Sequence, residues 1–101
     1  MKRIKQNSND LVLYRRRMGL TQKRVASLLG QRDATMLSHY EHGRALPPLA
    51  TALSLEIIYR TPVAFLFPGM YEDLKRRIRA DEEAARLATQ KFSRAINAAS
   101  L

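Results

Sequence analysis

The chain has 101 residues, with 18 Lys or Arg against 9 Asp or Glu, a formal net charge of +9 and no cysteine. That length allows one compact domain with at most an appended helix, and the lack of cysteine excludes disulfide scaffolds and thiolate zinc sites. The surplus of cations points to polyanionic partners rather than to any one fold.

The opening MKRIKQNSNDLVLY holds no apolar run of signal-peptide length. No segment approaches the roughly 20 apolar residues of a membrane span, so the expected compartment is the cytoplasm, without membrane association. Residues 1–7 are basic, polar and expected to fray. Asn7, Ser8 and Asn9 each offer a helix cap. Leu11, Leu13, Tyr14 and Met18 then form an apolar face, closed by Gly19 as a left-handed cap. Thr21 is placed to cap a second helix, although Arg24 three residues on makes no capping box. Val25, Ala26, Leu28 and Leu29 are its expected buried stripe, and Gly30 its end.

Asp33 is placed to cap a third helix that runs to about His42 and is stopped by Gly43. Pro47 and Pro48 make RALPP extended. Leu49, Leu53, Leu55, Ile57 and Ile58 suit a largely buried fourth helix, and Thr61 is expected to cap a short fifth one beginning at Pro62. Phe65, Leu66 and Phe67 should dock into the core, with Pro68-Gly69 ending the compact part. From Tyr71 to about Ala99 runs one long helical pattern. Tyr71, Leu74, Ile78, Ala85, Ala88, Phe92, Ala95 and Ala99 mark a heptad-like seam that Asp81 interrupts. The expected fold is therefore all-α: a domain over residues 1–69 and a C-terminal helix over residues 70–101 for dimerisation or for binding a partner.

At about 100° per residue, pointing Leu37 into the core brings Tyr40 and Glu41 to the inward side of the third helix. Thr35, Ser38, His39 and His42 then face outward, with Met36 at the edge. A methyl, hydroxyls and imidazoles suit base edges in a major groove. Lys23 and Arg32 are candidate phosphate contacts.

The strings LTQKRVASLLG and LSHYEHGRALP resemble the helix-turn-helix of the Cro and phage-repressor-like (XRE-type) family. The resemblance spans about residues 9–68, the length of that family's compact five-helix domain. It rests on Gly19-Leu20-Thr21-Gln22 opening the second helix, Ala26 within it, Ser38, the aromatic Tyr40, the Glu41 and Gly43 pair and Pro47. It implies that Gln22 clamps a phosphate, that Thr35, Ser38 and His39 face DNA, and that Arg44 touches the backbone. It also implies an internal ion pair between Arg15 and Glu41; from the residues alone, Arg15 could equally be surface charge. The turn after Gly30 is one residue longer than the family's commonest spacing, which leaves the roles of Arg32 and Asp33 open.

Other chemistries find little support. His39 and His42 are three apart, not the four of a zinc-binding helix pair, and bring too few ligands, so no metal is expected. Asp81, Glu82 and Glu83 diverge around a helix and form a solvated face rather than an acid–base pair. The arginines at 76, 77 and 79 read first as a solvated stripe. With no nucleophile–base set and no glycine-rich phosphate loop, neither enzyme activity nor a cofactor is expected. The function expected is a sequence-specific regulator of double-stranded DNA, acting as a homodimeric repressor. The alternative is an antitoxin-like or co-regulator protein whose C-terminal helix binds a protein partner.

Overall fold

The computed structural model describes residues 8–100, so the basic segment 1–7 and the cap expected of Asn7 lie outside the described residues. Among the described residues there are six helices and no strand: α1 Leu11–Arg17, α2 Gln22–Leu28, α3 Thr35–Glu41, α4 Leu49–Tyr59, α5 Val63–Leu66 and α6 Pro68–Ser100. Five short helices and a long sixth make the all-α architecture expected above. The chain divides into one compact unit ending at Tyr71 and a second beginning at Glu72.

Each of the first five helices drives one fully buried side chain into a common core: Leu11, Val25, Leu37, Leu55 and Leu66. Tyr40, Tyr59 and Phe67 fill the space between them. Burial of each such side chain is worth about 1.5–3 kcal/mol, which is what holds helices too short to stand alone. Local signals set the helix ends. Asn9 Oδ1 accepts from the Leu11 N–H at 3.0 Å, as expected of a cap at the start of α1. Thr21 Oγ1 accepts from the Arg24 N–H at 3.0 Å, as a helix cap should. Gly19, Gly30 and Gly43 take φ of 71°, 77° and 73° after α1, α2 and α3.

Several expectations about the core need correction. Leu13 on α1, Met18 just past its end and Leu28 on α2 are exposed, because helices of seven residues have room for only one or two inward positions. On α4 the buried set is Ala52, Leu55 and Tyr59, spaced three and four apart. Leu49 and Ile57 are 75% and 74% exposed, and Leu53 is exposed too. Phe65 on α5 also points outward. The cap of α5 is not Thr61, whose hydroxyl donates to the Tyr59 carbonyl at 2.9 Å. Glu56 Oε1 accepts from the Val63 N–H at 2.9 Å instead, and so binds α4 to α5. Pro68-Gly69 does not end the helical structure but opens α6, since proline loses nothing in a first turn where its N–H would be unpaired.

The two sides of α4 should respond differently to truncation. Leu55→Ala is expected to lower stability by about 2–5 kcal/mol, and Ile57→Ala to leave it within about 0.5 kcal/mol. Urea unfolding measures both; equal losses would mean that the buried side has been misassigned.

Candidate nucleic-acid interface

The α2–turn–α3 segment is closed by local chemistry. Gly30 sits in the left-handed region, and a Cβ there would meet no atom within 4 Å. Backbone conformation, not space, therefore calls for glycine. The Gln31 N–H donates to the Ala26 carbonyl at 2.9 Å and finishes α2. Within the turn, Asp33 Oδ1 accepts from the Thr35 N–H at 2.9 Å. That backbone bond, helped by the Thr35 hydroxyl, holds the Asp33 carboxyl below its ordinary range, with slight desolvation opposing it. A folded value below the unfolded one means that this cap is fully formed at neutral pH and lost as pH falls through the lowered value.

Behind α3 lies a buried polar network. Arg15 Nε donates to Glu41 Oε2 at 2.6 Å, and Arg15 Nη2 to Glu41 Oε1 at 3.3 Å. The Glu41 side chain is 1% exposed and that of Arg15 12%. Arg15 Nη1 also donates to the Leu20 carbonyl at 3.1 Å, and Gln22 Nε2 donates to Glu41 Oε1 at 2.7 Å. One carboxylate on α3 therefore gathers α1, the α1–α2 connection and the first residue of α2. Tyr59 stands close enough to feel the pair. Burial and, after it, the Glu41 charge push its phenol above the ordinary tyrosine range, with Arg15 partly opposing. Asn9 Nδ2 donates to the Tyr40 carbonyl at 2.8 Å and ties the start of α1 to the end of α3.

The other side of α3 is polar and accessible. Thr35, Met36 and His42 are exposed, while Ser38 and His39 are half-buried. His39 Nδ1 is enclosed without a hydrogen-bond partner, so an outside contact by this ring must use Nε2. His42 Nδ1 lies 2.8 Å from the Ser38 carbonyl oxygen, which can only accept, so the ring proton sits on Nδ1. The Ser38 hydroxyl lies 3.4 Å from the same nitrogen. Lys23, Arg32 and Arg44 are exposed, and none of them makes an ion pair among the described residues. Gln22 is half-buried with one amide hydrogen spent on Glu41. Its second amide hydrogen is what it can offer a phosphate.

The residues that bear on this site without having been foreseen are Asn9 and Tyr59 as inner supports, together with the link from Gln22 to Glu41. The cap signal of Asn9 was visible, but its second bond spans 31 positions and left no local trace.

A family model described as Helix-turn-helix matches residues 11–66, more than half of the chain. The chain belongs to the Cro and phage-repressor-like (XRE-type) helix-turn-helix family. No curated protein and no solved structure matches it. This is a family of DNA-binding regulators, and the matched span runs from the start of α1 to the end of α5. Among the described residues no helix is long and apolar enough to cross a membrane.

Glu41→Ala should destabilise the domain by about 3–5 kcal/mol, because it strands the Arg15 guanidinium largely out of water. Gln22→Ala removes one donor from a buried carboxylate and should cost about 1.5–3 kcal/mol. Thermal melting of both variants is the check; an unchanged midpoint for Glu41→Ala would show that the ion pair does not hold the fold.

Proposed function

We propose that this protein is a sequence-specific regulator of double-stranded DNA that acts as a dimeric repressor by occupying its operator. The observation that supports it best is the two-sidedness of α3. Leu37, Tyr40 and Glu41 hold it from within, while Thr35 and Met36 stand exposed on the other side, in a motif that also carries exposed Lys23, Arg32 and Arg44. In this reading α3 enters the major groove, and Thr35, Met36, Ser38 and His39 meet base edges. Thr35 and Met36 bring a methyl and a thioether to thymine methyls or base edges. Ser38 and His39 Nε2 bring hydrogen bonding. Lys23, Arg32, Arg44 and the free amide hydrogen of Gln22 grip phosphates, which fixes register and supplies affinity that falls with salt. Operator occupancy alone suffices for repression, because it blocks access to the same stretch of duplex.

The unit from Glu72 onward serves in this reading as the dimerisation segment. Two copies would present two recognition helices about 34–36 Å apart, on successive major-groove faces of a two-fold symmetric site.

Selection of bound sequences from a random duplex pool should return a pseudo-palindrome with half-sites about 10 base pairs apart; a pool that shows no enrichment would refute the reading. On the selected site, Thr35→Ala and His39→Ala should each cost about 1–3 kcal/mol and relax preference at one base position. Lys23→Ala and Arg44→Ala should weaken all duplexes alike and flatten the salt dependence by about one phosphate contact each. Titrations at several salt concentrations separate the two classes, and a uniform loss for Thr35→Ala would remove it from base reading.

A further inference from the structure

α6 exposes Leu74, Ile78 and Phe92, the last at 67%, along a seam that continues through Ala85, Ala88 and Ala95. Such a row on a helix of 33 residues asks for a cover. The charges beside the seam say which cover fits. Three ion pairs run along the helix three residues apart: Arg76 with Asp73, Arg79 with Glu82 at 3.1 Å, and Arg86 with Glu83. Of the four arginines from 76 to 86, Arg77 is the one with no ion pair among the described residues. With Leu74 and Ile78 on the seam, Arg77 and Glu82 occupy flanking positions on opposite sides of it. Arg79 holds Glu82 Oε1, which leaves the second oxygen of that carboxylate available.

We infer that α6 pairs with the α6 of a second copy in a parallel, in-register coiled coil, fastened by Arg77 of each copy on Glu82 of the other. The inference rests on the homodimer reading and specifies its geometry. In a parallel pair a flanking residue before the seam meets the partner's residue five places on, which joins 77 to 82 twice. An antiparallel pair with full overlap of the helix, centred on position 84, instead sets Arg77 against Lys91 twice. Asp81 is the weak layer: it stacks on its own copy and keeps the pairing reversible.

The test uses the full chain. Sedimentation equilibrium should show a dimer whose dissociation constant rises roughly tenfold in Arg77→Glu, because two attractions become two repulsions. The double exchange Arg77→Glu with Glu82→Arg should restore it, and Asp81→Leu should tighten it. The chain has no cysteine of its own, so Ala88→Cys should cross-link to its counterpart on mild oxidation only if the helices run parallel in register. A dimer that tightens in Arg77→Glu and fails to cross-link overturns the parallel pairing and leaves the homodimer intact. A chain that stays monomeric at tens of micromolar overturns both.

Discussion

Everything on the outer side of α3 depends on how one carboxylate is kept out of water. Glu41 is almost fully enclosed, and an ionised carboxylate in that position costs several kcal/mol unless its oxygens are saturated. Here they receive two bonds from Arg15 and one from Gln22. Charge pairing at this depth nearly breaks even against its desolvation, so its main effect is on geometry rather than on net stability. It fixes the rotation of α3 about its own axis. A slip of one residue would swing the outer side chains by about 100° and carry Thr35 away from the surface on which it now stands.

The interior and the exterior of the motif therefore have separate chemistry. Inside, the leucines, Tyr40 and the Arg15–Glu41–Gln22 network decide where α3 lies and which side it shows. Outside, Lys23, Arg32 and Arg44 make no ion pair among the described residues, so their charge is available to a polyanion without breaking any of those pairs. Gln22 belongs to both: it spends one hydrogen on Glu41 and keeps another. A phosphate bound there would be coupled to the network that orients α3, so that backbone contact and base contact share one support.

Much of the fold was legible because its signals are local. Asn9, Thr21 and Asp33 cap where short polar side chains precede apolar stripes, and Gly19, Gly30 and Gly43 adopt the left-handed conformation that ends a helix. The inward placement of Leu37, Tyr40 and Glu41 followed from helical geometry and one anchor residue. The buried side of α4 was not legible, since LATALSLEIIY carries large apolar residues all round the helix and contrast between faces is what marks a core stripe. Of the expected Leu49, Leu53, Leu55, Ile57 and Ile58, the fold fully buries Leu55 and adds Ala52 and Tyr59, while Leu49, Leu53 and Ile57 stay exposed. Arg15 with Glu41 came from family resemblance rather than from spacing. The bond from Gln22 to Glu41 spans 19 positions and involves a neutral amide, so no charge pattern announced it. Tyr59 escaped for the same reason: its place beside the pair is a product of packing α4 on the motif.

The most direct test follows the backbone amides of the full chain by two-dimensional nuclear magnetic resonance while a selected duplex is added. Shifts gathered at Gln22, Lys23, Arg32, Thr35, Met36, Ser38, His39 and Arg44, with the exposed side of α4 at Leu49 and Ile57 unmoved, are the result this account expects. Shifts centred on α4 with the 35–39 amides unchanged would contradict it.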